Sequence, residues 1–221
     1  MDRAFLTRTA LFEGMDEKDA GAVLRCLDAR EKEYSRGDMI CRAGEPVESM
    51  GLVLTGSVNV EIDDLWGGRT ILAHVGAGQL FAETYACIPG EPLMVNVEAC
   101  ERTVVLFISA ARLLSSCESC CVYHSRLIQN LLRISAQKNL ALSRRSLHTS
   151  AKSIRGRVLS YLSEQARRCG GRCFTIPFNR QQLADYLNVD RSALSGELGR
   201  MRRDGLLDYE RNRFTLRQLP E

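Results

Sequence analysis

The chain has 221 residues, 45% hydrophobic and 26% charged, and its 30 Lys and Arg against 27 Asp and Glu leave a net charge of +3 at pH 7. That length suits two modest domains, each able to bury its own core, and no low-complexity tract or repeat array is present. No stretch approaches the roughly 20 apolar residues a membrane span needs, and no apolar run leads into a cleavage site, so the expected setting is the cytoplasm, with no membrane partner.

Residues 9 to 29 read as a small helical lead-in. Beyond them Tyr34, Gly37, Asp38, Ile40, Gly44 and Glu45, then Met50 to Leu54, Gly56, Ser57, Val58, Val60 and Ile62, form short β-rich runs divided by glycines. A second set runs through Thr70 to Ala73, Gly76, Gly78 to Phe81, Val95 to Ala99 and Thr103 to Ile108. Short strands at this spacing predict an all-β roll or barrel. From about Ala110 to Ser143 glycine and proline vanish, while Leu127, Ile128, Leu131, Leu132, Ile134, Leu140 and Leu142 recur, which predicts one long helix. Its apolar face is too large to stand alone. Either it packs wholly on its own roll, or it pairs with its copy in a second subunit.

The stretch from Asn179 to Leu216 reads as two short helices, a tight turn and a β-wing. Asn179 is an N-cap and Gln182 can reach back to it; Leu183, Ala184 and Leu187 then fall on one face. Asn188 and Val189 make the turn, and Asp190 caps a second helix whose inward stripe is Leu194, Leu198 and Met201. Arg191, Ser192, Ser195, Gly196 and Gly199 are left outward, small and polar where a helix must enter a groove. Asp204 and Gly205 stop that helix, and Leu206 to Tyr209 and Phe214 to Leu216 read as strands around a turn at Glu210 to Arg213. The expected architecture is a winged helix-turn-helix. A helical subdomain with a solvated basic face is the plainer alternative, but charge partition opposes it. Residues 144 to 221 hold 16 Lys and Arg against 8 Asp and Glu, whereas residues 1 to 143 hold 14 against 19. Positive charge sits where phosphates would be met. A dimer would set two reading helices about 34 Å apart, matching a near-palindromic operator on double-stranded DNA.

With these motifs in place, the chain resembles the Crp/Fnr family of bacterial transcription regulators over nearly its full length. The resemblance rests on the glycine-punctuated roll, the phrase Gly78-Gln79-Leu80-Phe81-Ala82-Glu83, which is similar to the family's nucleotide-pocket signature, the long helix and the winged reader. It implies an α+β protein made of an N-terminal cyclic-nucleotide-binding-like jelly roll over residues 1–109, a dimerisation helix and hinge over 110–145, and a winged helix-turn-helix over 146–221. It also implies a homodimer that works with RNA polymerase and whose readers are reoriented by a signal in the roll.

Departures from the family pattern sharpen the reading. Cyclic-nucleotide-binding members carry an Arg-Ser pair about ten residues after the pocket glutamate, where guanidinium and hydroxyl hold the phosphate. Here those places are Leu93 and Met94. An anionic phosphate buried against them would lack a counter-charge, so the expected effector pocket of Phe81, Glu83, Leu93 and Met94 is not one for cyclic AMP. Glu83 is either an effector contact or a fold residue satisfied by local amides. In the reader, Arg191 matches the arginine that opens the family's reading helix, while a later guanine-reading arginine is Gly196 and the usual glutamate is Ser192. Arg191 can bond a guanine edge or a phosphate, Ser192 and Ser195 either base or backbone, and Arg180, Arg211 and Arg213 are the expected phosphate contacts.

Nine cysteines in a chain without a secretory signal are expected to be mostly reduced thiols. Cys117, Cys120, Cys121 and His124 would share one helical face. Three readings stay open for them: plain packing, a metal or iron–sulfur cluster, and a thiol switch. Family members that carry clusters ligate them near the N-terminus, and this chain has no cysteine before Cys26. Cys26, Cys41, Cys87 and Cys100 are expected core thiols, with Cys87 a possible extra ligand, and Cys169 and Cys173 are expected in the loop before the reader. An enzyme using Cys120 or Cys121 with His124 would need a substrate site and an orienting third group that the sequence does not reveal. The expected function is a homodimeric DNA-binding regulator, not an enzyme, governed by an effector or a redox or metal signal; a metal-sensing or ligand-binding dimeric scaffold that does not read DNA is the alternative.

Overall fold

A computed structural model of the chain describes residues 2–63, 69–115 and 122–217. The chain divides into two compact units, Met1–Ala136 and Gln137–Glu221.

The first unit opens with α1 (Arg3–Leu6) and α2 (Glu17–Cys26), each started by an aspartate: Asp2 accepts from the Phe5 amide at 3.1 Å and Asp16 from the Asp19 amide at 2.7 Å. The expected lead-in is therefore two helices joined by turns, the first lying ahead of residue 9. Eight strands follow: β1 (Arg30–Tyr34), β2 (Met39–Cys41), β3 (Ser49–Thr55), β4 (Ser57–Asp63), β5 (Arg69–Gly76), β6 (Leu80–Phe81), β7 (Asn96–Ala99) and β8 (Thr103–Ser109), with α3 (Glu83–Ala86) between β6 and β7. They form two antiparallel four-stranded sheets, ordered β1-β8-β3-β6 and β2-β7-β4-β5. Inward side chains of both sheets, Val53 and Val105 from one and Val58, Val75, Val97 and Ala99 from the other, interdigitate into a single apolar layer. Leu52, Leu54, Leu106 and Ile108 point the other way and are roofed by α1, α2 and a later helix through Leu6, Leu24, Leu127 and Leu131. The first sheet is thus buried on both faces along β3, whose pattern in the sequence is the unbroken apolar run Met50 to Leu54.

The predicted single helix from Ala110 to Ser143 is not what forms. A short α4 (Ala110–Leu114) ends at Ser115, whose backbone turns to ψ 149° while its hydroxyl bonds the Arg112 carbonyl at 3.0 Å. That local bond competes with helix continuation. The long helix, α5, is Val122–Thr149, 28 residues. Asn130 fastens it to the lead-in by donating to the carbonyls of Leu11 at 2.8 Å and Glu13 at 3.0 Å. Of the stretch expected to hold the dimerisation helix and hinge, residues 110–145, the part from Val122 onward is helical, and α5 runs on to Thr149.

In the second unit α6 (Ile154–Cys169) is capped by Ser153 and stopped by Gly170 in the left-handed region. Then come β9 (Cys173–Thr175), α7 (Arg180–Leu187), α8 (Arg191–Arg203), β10 (Leu207–Glu210) and β11 (Arg213–Leu216). The three strands form one sheet, ordered β10-β11-β9. Its core joins Val158, Tyr161 and Leu162 of α6 to Leu183, Leu187, Leu194, Leu198, Met201 and Phe214. Cys169 and Cys173 are not in a loop: one closes α6 and the other opens β9.

Candidate nucleic-acid interface

The reader forms as its caps dictate. Asn179 and Gln182 make a reciprocal capping box, each bond 2.9 Å. Asn188 takes φ 53°, a conformation asparagine tolerates, and ends α7. Asp190 then accepts from the Ala193 amide at 2.8 Å and from the Ser192 hydroxyl, which starts α8 and holds the Asp190 carboxyl below its usual range. Two arginines that sequence reasoning missed brace this turn. Arg157 donates to the carbonyls of Leu187 at 3.1 Å and Asn188 at 2.8 Å, and Arg145 to those of Asp185 at 2.8 Å and Tyr186 at 3.1 Å. They satisfy carbonyls that a helix end leaves orphaned. Nothing local marks them, because their partners lie some 30 to 41 residues away.

Leu194, Leu198 and Met201 are fully buried, and Arg191, Ser192, Ser195 and Gly196 are exposed on the opposite side of α8. The Ser195 hydroxyl bonds its own Arg191 carbonyl at 2.9 Å. A Cβ added at Gly196 or Gly199 would meet nothing within 4 Å. Buried Glu197 ties the helix to its support: Arg155 Nε reaches it at 2.6 Å and Arg200 at 2.5 Å, while Arg155 also spans to Asp204 at 2.7 Å. The Arg155 hydrogen bond, then that of Arg200, keeps the Glu197 carboxyl below the ordinary glutamate range.

The expected phosphate contacts differ in setting. Arg211 lies at the wing tip with φ 53°, exposed and without an ion pair among the described residues. Arg213 is exposed on β11, its Nε 3.4 Å from Cys173 Sγ. Arg180 is half-buried, its guanidinium 5.0 Å above the Tyr209 ring and 6.0 Å from Phe214, and burial draws its pKa down. Arg202 sits over the same Tyr209 ring at 5.6 Å and pairs with Asp208 at 2.8 Å.

Of the expected effector residues three are buried and one is not. Phe81, Glu83 and Leu93 are 3%, 5% and 2% exposed, but Met94 is 70% exposed. Leu93 is held inward by two backbone bonds, to Gly44 at 2.7 Å and to Glu45 at 3.0 Å, and the next side chain therefore points outward. Phe81 lies across Gly51, where any Cβ would overlap its ring, and meets Phe107 edge-on.

Of the cysteine cluster, Cys117, Cys120 and Cys121 lie outside the described residues. His124, in the first turn of α5, is 6% exposed and its Nδ1 has no hydrogen-bond partner among the described residues. No group of three His, Cys, Asp or Glu is placed to hold a metal among the described residues. Cys41 and Cys87 are partly buried, and burial pushes the Cys41 thiol up to about 11 and raises Cys87. Cys26, expected in the core, is exposed at the end of α2.

Two families of known domains match the chain: the cyclic nucleotide-binding domain over residues 31–120 and the Crp-like helix-turn-helix domain over residues 156–221. Among solved structures, CprK complexed with OCPA aligns with TM-score 0.63 at 18% identity over 89% of this chain and 91% of that one. CLP of Xanthomonas campestris, described as a c-di-GMP responsive global regulator, aligns with TM-score 0.55 at 19% identity over 90% of this chain and all of the other (100%). A cyclic nucleotide-binding domain from Methylobacillus flagellatus aligns with TM-score 0.52 at 21% identity over 61% and 74%. A protein described as a potassium channel of Rhodopseudomonas palustris is 30% identical over 110 residues, 50% of this chain, and the match spans 26% of that protein's length. Roll, long helix and winged helix-turn-helix, in that order, define a DNA-binding regulator with a ligand-binding domain. The chain belongs to the Crp/Fnr family of transcription regulators, with a cyclic nucleotide-binding-like domain ahead of a DNA-binding helix-turn-helix. No helix among the described residues is long and apolar enough to cross a membrane.

Proposed function

We propose that the chain is a cytoplasmic, homodimeric, sequence-specific regulator that lays α8 in the major groove of a near-palindromic operator and acts with RNA polymerase. The observation that carries this is the outward side of α8: Arg191 with no ion pair among the described residues, two serines, and two glycines with open space around them, on a helix whose other side is wholly buried. Arg191 reads a guanine edge, Ser192 and Ser195 exchange their local bonds for base or backbone contacts, and Arg211 and Arg213 clamp phosphates across the wing. Support for the dimer comes from α5, where Leu132, Leu140, Leu142 and Leu147 stand 69%, 50%, 67% and 68% exposed. A gel-shift titration against a duplex selected from a random pool by the wild-type chain tests the reading. Arg191→Ala with Ser195→Ala should weaken binding by at least about tenfold, at roughly 1–3 kcal/mol for each base contact removed; undiminished binding refutes the assigned face. Sedimentation of Leu132→Asp with Leu142→Asp should give monomers, and an unchanged dimer would refute pairing through α5.

The effector is not cyclic AMP in this reading, because Leu93 occupies the buried position at which a phosphate would need a counter-charge. A second signal input is supported by His124, whose buried Nδ1 lacks a partner among the described residues. Soft donors from Cys117, Cys120 and Cys121, which shortly precede His124 in the sequence, would suit zinc, iron or an iron–sulfur cluster. Metal analysis and absorbance of protein purified without oxygen decide it: about one metal or cluster per subunit, lost in Cys120→Ser, is the expected result, and a colourless, metal-free protein overturns it.

A further inference from the structure

Cys173 stands on the exposed side of the wing sheet, opposite Thr215 in register and diagonal to Arg213. Its Sγ receives the Arg213 Nε–H at 3.4 Å and the Thr215 hydroxyl at 3.6 Å. Two donors converging on one sulfur, one of them cationic, favour thiolate over thiol. Accordingly the Arg213 bond, and then that of Thr215, holds the Cys173 pKa below the ordinary thiol range, the reverse of what burial does to Cys41 and Cys87. A second exposed thiol, Cys169, closes α6 just before it. Only Gly170, Gly171 and Arg172 lie between, two of the three being glycines, with Gly170 in the left-handed region at φ 66°.

We propose that Cys173 is a peroxide-reactive modification site on the wing, with Cys169 as its resolving thiol. The Cys173 thiolate attacks a hydroperoxide: an S–O bond forms, the O–O bond breaks, and hydroxide or alkoxide leaves and takes up a proton. The sulfur is oxidised to sulfenic acid and the peroxide is reduced. Cys169 thiolate then attacks that sulfur, forming S–S, breaking S–O and releasing hydroxide, which takes up a proton from solvent to give water; an external dithiol reverses the change by exchange. The consequence for DNA rests on the reading that Arg213 faces phosphate. Oxidation removes the thiolate that orients the guanidinium and draws the start of β9 out of register with β11.

The test uses the reduced full-length chain. Limiting iodoacetamide, followed by peptide mass spectrometry, should label Cys173 several-fold faster than the exposed Cys26, and Arg213→Gln should remove that advantage. One equivalent of hydrogen peroxide should yield a Cys169–Cys173 linked peptide in the wild type and a dimedone-trapped sulfenic acid at Cys173 in Cys169→Ser. Binding to a mixed-sequence duplex at low salt should fall several-fold after peroxide, recover with dithiothreitol, and be insensitive in Cys173→Ser. Labelling of Cys173 no faster than Cys26, or unchanged in Arg213→Gln, overturns the site. A linked peptide with unaltered DNA affinity overturns its control of binding, and the Arg211→Ala with Arg213→Ala variant shows separately whether the wing meets DNA at all.

Discussion

Replacing Gly196, Gly199 or both by alanine separates what the reading helix needs to fold from what it needs to touch DNA. Both glycines lie within α8 (Arg191–Arg203), and a methyl group at either would meet nothing within 4 Å in the free protein. Glycine in a helix interior is less favourable than alanine by about 0.5–1 kcal/mol, because the unfolded chain loses more freedom on ordering. Each replacement should therefore stabilise the second unit by about that amount, and the pair by about 1–2 kcal/mol. For a domain near this size about 1 kcal/mol corresponds to roughly 4–8 °C in Tm. On DNA the sign should reverse. If the glycines let the backbone press against the groove, two added methyls overfill a closely packed contact at a cost of about 1–3 kcal/mol, or roughly 5- to 150-fold in Kd. Thermal unfolding followed by circular dichroism, paired with fluorescence anisotropy on a duplex selected by the wild-type chain, reads both quantities in one set of proteins. A lower Tm would refute the open helical setting of these positions. A higher Tm with unchanged Kd would refute the close approach of this face to DNA.

The Glu197 carboxyl is held below the ordinary glutamate range, so its stabilising contribution is present above about pH 4.5 and lost as pH falls through the lower folded-state value. Glu197→Gln should cost about 1–3 kcal/mol at neutral pH and flatten the acid limb of a Tm-against-pH series for the second unit; an acid limb as steep as that of the wild type would refute the Arg155 pairing as its source. Gly51→Ala should displace the Phe81 ring and destabilise the roll by roughly 1–3 kcal/mol, the usual cost of an overfilled core, with chemical denaturation as the check and no loss of stability as the refuting outcome. Arg211→Ala should lower the slope of log K against log salt by about 0.9, the value for one phosphate no longer neutralised. Arg180→Ala should weaken binding with little change of slope, because its guanidinium braces Tyr209 and Phe214 of the wing; a slope reduced as much as for Arg211→Ala would restore Arg180 as a phosphate clamp.

What could be read from sequence alone follows the range of the forces involved. The reader was legible nearly residue by residue, since its boundaries are set by bonds spanning three residues: Asn179 with Gln182, and Asp190 with Ala193. β3 and β8 were legible because nearly all their buried side chains are apolar, and β4 through Val58 and Val60, although its buried positions also include Ser57 and Glu61. β1 was not, as Arg30 to Glu33 are exposed and charged, and the strand exists only through its pairing with β8. β9 is likewise made by β11. The break between α4 and α5 was not legible either, because neither glycine nor proline marks it; a serine hydroxyl turned back on the Arg112 carbonyl ends the helix instead. For the same reason the functional arginines could be nominated but not sorted. A count of positive charge treats Arg155, Arg157, Arg180 and Arg211 alike, whereas the fold turns the first toward Glu197, the second to the carbonyls ending α7, the third onto the wing aromatics, and leaves the fourth exposed. Charge partition therefore points to the second unit as the basic one, in keeping with its DNA-binding helix-turn-helix. Only the tertiary partners decide which of its cations stay exposed and without an ion pair among the described residues.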